Sequence, residues 1–209
     1  MTELDCNFIN RVIYKLPQSS ATQQPTKKKR DKQQEHSFFH FFMEETLTMF
    51  MPVPRSDEIE VRTRLAESLA TGKVRLKACG IKATYEAADI LMMRPTTLPL
   101  MRAISALNNA SYIVLVGKIA IFMVWGNDAP VILEKRGRDR YNRSNLTSDY
   151  IQANYIVTSD PNKVIKAISK YSASELRDTY SKTEQPMPET TNKRGIYDAL
   201  SAYVSRTVN

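Results

Sequence analysis

The chain has few of the residues that build metal knuckles, disulfide frameworks or phosphate-binding loops. Its 209 residues include two cysteines, two histidines and six glycines. Cys6 and Cys79 stand far apart, so a disulfide framework and a CxxC zinc site are both excluded, and a reducing compartment is expected. No glycine falls in a GxGxxG or GxxxxGK pattern, which argues against dinucleotide and ATP binding.

Long apolar runs are also missing. The most apolar stretch, 112–125, is broken by Gly117 and Lys118 and is shorter than the roughly 20 residues of a membrane-spanning helix. No secretory signal is predicted near Met1. We therefore expect a cytoplasmic protein with no membrane partner. The nucleus is a second location if the host is eukaryotic, because a basic run opening at Pro25 is similar to an import signal.

Catalytic groups are equally scarce. His36 and His40 have the i,i+4 spacing of two ligands on one helical face, but no further ligand stands at local metal spacing. The neighbouring phenylalanines favour an ordinary amphipathic turn. We expect no enzyme activity, no metal and no cofactor.

Positive charge is present in excess and is concentrated. Lys and Arg number 30 against 22 Asp and Glu, a formal charge of +8. Three stretches, Lys27–Lys32, Lys73–Lys82 and Lys135–Arg143, each carry four more basic than acidic residues, so the rest of the chain is net acidic. Such clustering is typical of proteins that bind a polyanion, although solvated basic surfaces also arise without a ligand.

The first 34 residues are predicted to be an N-terminal segment and a flexible basic arm. Residues 18–34 are wholly polar and cannot bury enough apolar surface to offset their conformational entropy. The cations expected to touch nucleic acid here are Lys27, Lys28, Lys29 and Arg30.

Residues 35–182 are predicted to form an α+β core. It opens with a Phe-rich helix over 35–51 and continues with a helix that ends near Gly72. Lys73–Ala78 alternates apolar and basic residues, which favours a half-buried strand that presents Lys73, Arg75 and Lys77 to a ligand. A helix-turn-helix with Gly80 in its turn and a second helix from about Thr84 is the competing interpretation.

The second half of the core is predicted to contain an antiparallel β-meander packed against several helices. Three segments dense in β-branched and aromatic residues, 112–116, 119–125 and 131–136, are separated by short turns. A further strand is expected over 150–157. A helix is expected to start at Asp160, and a capping box formed by Ser172 and Glu175 should begin the next helix.

The segment 135–143 is the strongest functional signal. It is expected to be a polar loop that projects from the meander, with guanidinium groups for phosphates and a tyrosine for stacking on an exposed base. The residues predicted to contact nucleic acid are Lys135, Arg136, Arg138, Arg140, Tyr141 and Arg143. The alternative is a solvated hairpin loop that binds nothing.

Residues 183–209 are predicted to be a linker followed by an amphipathic helix. Pro186 and Pro188 favour a spacer, and the helix would then offer Ile196, Leu200 and Tyr203 to a protein partner. The same helix could instead fold back on its own core.

Together these patterns predict a non-enzymatic protein that binds nucleic acid, of unknown strandedness, through phosphate contacts. The alternative is a structural or assembly subunit, for example of a viral particle, in which the Phe-rich helix forms an interface within a homo-oligomer.

Overall fold

A computed structural model describes residues 35–47, 55–82, 87–92, 94–126 and 128–208. The fold is α+β, as predicted: helices cover a five-stranded sheet. The basic arm and its residues Lys27, Lys28, Lys29 and Arg30 lie outside the described residues. The helices are α1 (Phe38–Leu47), α2 (Arg55–Thr71), α3 (Lys73–Ala78), α4 (Ala87–Leu91), α5 (Leu98–Asn108), α6 (Ser148–Asn154), α7 (Ala173–Ser181) and α8 (Lys193–Val208).

The sheet is mixed, so the prediction of an antiparallel meander is partly wrong. The strands are β1 (Tyr112–Val116), β2 (Ile119–Met123), β3 (Val131–Gly137), β4 (Arg140–Arg143) and β5 (Ile156–Thr158), in the order β4-β3-β1-β2-β5. The hairpins β1–β2 and β3–β4 are antiparallel, whereas β3 pairs with β1 and β5 pairs with β2 in parallel.

The parallel pairing arises where the chain crosses the start of β1. Tyr112 lies beside Met123, the last residue of β2, on one side. On its other side it lies beside Val131, the first residue of β3. Ser111 holds this crossing: its hydroxyl accepts hydrogen bonds from the amides of Trp125 and Gly126, and its carbonyl accepts one from Val131. Because the crossing lies at one end of β1, β3 runs in the same direction as β1.

The strand β1 forms the centre of the core. All five of its residues are buried, since both faces of the sheet are covered. One face packs against the main helical core, which includes side chains from α1, α2, α5, α7 and α8. The other face, with Ile113 and Leu115, packs against Ile151 of α6. Because both faces of β1 are buried, its sequence is a continuous run of apolar residues.

The predicted strand at Lys73–Ala78 is wrong, because this segment is the helix α3. Leu76 is buried, but Val74, which should share its face in a strand, is 83% exposed. Gly80 has φ +66° and ends the helix in a Schellman motif, in which the Ile81 amide donates to the Leu76 carbonyl. Helices lie on both sides of Gly80, in the element order of the helix-turn-helix alternative. The predicted start of its second helix, near Thr84, lies outside the described residues.

Two further element predictions between the sheet and α7 are wrong. Most of the strand expected over 150–157 is helix α6, which Thr147 caps by accepting a hydrogen bond from the Tyr150 amide, and only β5 is extended. The helix expected from Asp160 is reduced to turns and a short 3₁₀ helix at Ile168–Lys170. The capping box of Ser172 and Glu175 is confirmed at the start of α7.

Candidate nucleic-acid interface

The predicted binding loop 135–143 is largely regular structure. It contains the end of β3, a tight turn and all of β4. The ring of Tyr141 is 1% exposed, and its hydroxyl donates a hydrogen bond to the Met101 sulfur at 3.4 Å. Burial raises the pKa of Tyr141 well above its ordinary value of 10. The structure therefore corrects its expected role: the ring is a core side chain and cannot stack on a base.

Most arginines of this hairpin are paired with carboxylates of the same chain. Arg136 meets Glu134 at 2.8 Å, and Arg140 meets Glu35 at 3.7 Å. Arg143 pairs with Glu44 and Glu45 of α1 and lies over the Phe41 ring. These exposed pairs are weak, but each carboxylate reduces the local positive potential that would attract a phosphate.

Lys135 and Arg138 differ from those paired arginines. Among the described residues, neither side chain has an ion pair or hydrogen bond, and Arg138 is exposed. Both line a cleft of about 720 Å³ at the ends of β1 and β3. The cleft is bounded by the start of α5, the end of β3, the loop after β5 and the end of α8, which contribute Leu98, Arg136, Asn162 and Val208, among others.

Asp139 fixes the turn that carries Arg138. It has φ +53°, a left-handed conformation that Asp tolerates better than most residues. Its carboxylate accepts hydrogen bonds from the backbone amides of Phe38, at 3.3 Å, and Thr96. Burial raises the pKa of Asp139, although the two amides oppose that shift. The turn is thereby tied to the beginning of α1 and to the segment before α5.

The cations of α3 form a second basic surface, which we call the α3 surface: Lys73, Arg75 and Lys77. All three are exposed, and none forms an ion pair with a described residue. Arg75 donates a hydrogen bond to the side chain of Asn109, which caps the carboxyl end of α5. The cleft lies at the opposite end of α5, near Thr97, and the two ends of this helix are about 18 Å apart.

The C-terminal helix is docked on the chain's own core. Ile196 is 1% exposed and Leu200 is 0% exposed, so these side chains are not displayed to a partner. The Tyr203 hydroxyl accepts a hydrogen bond from the Lys118 amide at 3.0 Å. Within the preceding segment, Thr183 is buried, and the Tyr180 hydroxyl donates to the Pro186 carbonyl. The structure therefore places the residues expected to bind a partner in intramolecular contacts.

The histidine pair shows no metal-binding geometry. The rings of His36 and His40 are stacked with centroids 3.9 Å apart, and His40 faces Glu44 at 3.6 Å. Burial and the neighbouring His40 lower the pKa of His36. In the described part of the chain, no group of three or more His, Cys, Asp or Glu residues could hold a metal ion.

Sequence reasoning missed the cleft itself, because its walls come from five separate parts of the chain. The Thr-Leu-Pro sequence at 97–99 was the one local signal, since Thr97 caps α5 and proline occupies its first turn. None of the helices in the described ranges is long and apolar enough to cross a membrane.

Comparisons of the chain with protein-family models, with curated proteins and with solved structures gave no match. Its function is therefore inferred from the chain's own residues.

Proposed function

We propose that this protein binds nucleic acid without catalysis, through phosphate contacts made by the α3 surface and by Lys135 and Arg138. The observation that carries the proposal is the distribution of unpaired charge. Five exposed or half-exposed cations at two sites have no carboxylate partner among the described residues, whereas Arg136, Arg140 and Arg143 do. Unpaired cations attract phosphates most strongly because no intramolecular ion pair has to be broken first.

The α3 surface suits a phosphate backbone for a second reason. Its three cations lie on one short helix, and Val74 between them is 83% exposed, so this face of the molecule is not shielded by any other described segment. Arg75 is also held in place by Asn109 at the end of α5. A positioned guanidinium loses less side-chain entropy when it contacts a phosphate.

The assembly alternative depends on a Phe-rich interface, and the described phenylalanines of α1 are in the core. Phe38, Phe39, Phe41 and Phe42 are each at most 3% exposed. They pack within the same chain, against the buried face of the sheet and α2. The favoured function is therefore nucleic-acid binding.

A charge-matched pair of variants tests the proposal. The triple variant Lys73→Gln, Arg75→Gln and Lys77→Gln removes three unpaired cations. The control, Arg64→Gln, Arg140→Gln and Arg143→Gln, removes three cations that are paired with Glu60, Glu35 and Glu44 or Glu45. Both variants lower the net charge by the same amount.

We expect the α3 variant to bind a single-stranded oligonucleotide more weakly and to flatten its salt dependence by about 2, since each lost single-strand phosphate contact is worth about 0.7 in slope. The control should change the slope by much less. Fluorescence anisotropy at several salt concentrations measures both quantities. Equal losses in the two variants would show that only net charge matters, and would refute the assignment of the α3 surface.

A further inference from the structure

The cleft at the ends of β1 and β3 has walls of two chemical kinds. Lys135 and Arg138 supply positive charge without carboxylate partners among the described residues. Much of the remaining wall is apolar and comes from separate elements: Pro95, Pro99, Val116, Pro161 and Val208. The volume of about 720 Å³ falls within the range of roughly 300–1,000 Å³ that is usual for small-molecule sites.

The carboxylate in this cleft offsets only part of the positive charge. Asp139 lines the cleft, and its carboxylate accepts hydrogen bonds from the Phe38 and Thr96 amides, but its single negative charge stands against two cations, Lys135 and Arg138. The amino end of α5, which carries Thr97 and Leu98, also borders the cleft. Its helix dipole adds a partial positive charge to that of Lys135 and Arg138.

We infer that this cleft receives one unpaired nucleotide of a single strand, with its phosphate at Lys135 and Arg138 and its base against the proline and valine wall. The inference rests on the proposed function and adds the strandedness of the ligand. A duplex can approach the same cations only with its phosphates, because its bases are paired and stacked inside. Only an unpaired nucleotide can place a phosphate and an apolar base face together in a cleft of this size.

Variants that fill the cleft separate the contribution of the base to affinity from that of the phosphate. Val208→Trp fills the cleft from the end of α8 without changing any charge, and Asn162→Trp does so from the loop after β5. Ser205→Trp is the matched control, because Ser205 is exposed on the same helix as Val208 and does not line the cleft. Circular dichroism establishes that each variant is folded.

The probes are a 12-nucleotide single strand, an abasic strand of the same length and a 12-base-pair duplex. Wild-type protein should bind the single strand about tenfold more tightly than the abasic strand, the gain expected from roughly 50 Å² of apolar burial. Val208→Trp and Asn162→Trp should abolish this difference and leave duplex affinity unchanged. Ser205→Trp should behave as wild type.

The outcomes distinguish this inference from the proposed function. If wild-type protein binds all three probes equally, or if neither cleft-filling variant changes single-strand affinity, the cleft does not hold a base, while phosphate binding stands. If wild-type protein binds none of the probes, the proposed function and this inference are both overturned. Val208→Trp and Asn162→Trp fill the cleft from different elements. If one of these variants misfolds, the other still tests the inference.

Discussion

The docking of α8 predicts a large loss of stability when one buried side chain is shortened. Leu200 is 0% exposed and belongs to the same core as Leu176 of α7. Replacing a buried Leu by Ala removes its transfer free energy and leaves a cavity, at a usual cost of about 2–5 kcal/mol. We therefore expect Leu200→Ala to lower the free energy of unfolding by an amount in this range.

Urea denaturation followed by circular dichroism measures this effect. For a slope of about 2 kcal/mol per molar urea, the midpoint should fall by about 1 M or more. Ser205→Ala, on the exposed side of the same helix, should stay within about 0.5 kcal/mol of wild type. An unchanged midpoint for Leu200→Ala would mean that α8 does not pack on the core in solution, and would restore the hypothesis of a tethered, partner-binding helix.

Four further predictions concern the β3–β4 hairpin and its partners. Asp139→Asn keeps an acceptor for the Phe38 amide and should be tolerated, whereas Asp139→Ala should cost about 1–3 kcal/mol in urea denaturation, because buried amides lose their partner. Burial raises the pKa of Asp139 above its ordinary value of 3.8. The wild type should therefore lose stability relative to Asp139→Asn as the pH rises and this carboxyl group loses its proton. Melting temperatures of the two proteins from pH 3 to 7 measure this loss, and a constant difference between them would contradict the prediction. Tyr141→Leu removes the aromatic ring and keeps an apolar side chain in the core, so it should leave oligonucleotide affinity unchanged in anisotropy measurements, because the ring is buried. A severalfold loss in a variant that circular dichroism shows to be folded would restore the stacking role. Converting both Glu44 and Glu45 to Gln should remove two negative charges beside Arg143 and steepen the salt dependence of binding by up to about 0.7, and an unchanged slope would show that these carboxylates do not keep Arg143 from a phosphate.

Local sequence signals identified much of the secondary structure correctly. The strand at 112–116 and the helix that ends near Gly72 lie where their residues predict them. The capping box of Ser172 and Glu175 also forms as expected, because both of its hydrogen bonds join residues three positions apart. These features depend on neighbouring residues, which is why the sequence alone suffices for them.

The pairing of strands could not be predicted from such signals. The chain after β2 can add β3 beside β2 or cross to the far side of β1, and both arrangements bury the same apolar residues. Ser111, which anchors the crossing with its hydroxyl and carbonyl, carries no distinctive local pattern. At Lys73–Ala78, a six-residue alternation of basic and apolar residues favoured a strand, whereas the segment is a helix that ends in the motif at Gly80.

The candidate site was only partly predictable for a related reason. The basic stretch at 135–143 is visible in the sequence, but the carboxylates that neutralise Arg143 stand 99 and 98 positions away. No local pattern shows that Arg143 is paired while Arg138 has no carboxylate partner among the described residues. The same holds for Tyr141, whose burial depends on Met101 and the packing of α5.

The salt dependence of wild-type binding tests whether this protein binds nucleic acid through phosphate contacts. If Lys73, Arg75, Lys77, Lys135 and Arg138 each contact a phosphate of a single strand, the slope of log K against log salt concentration should be at least about 3.5 in magnitude. Anisotropy titrations of a labelled oligonucleotide between 50 and 300 mM salt, roughly the range over which such contacts weaken, provide this slope. We expect a slope of at least this size. A slope near zero, or no binding at the lowest salt, would contradict nucleic-acid binding by these five cations.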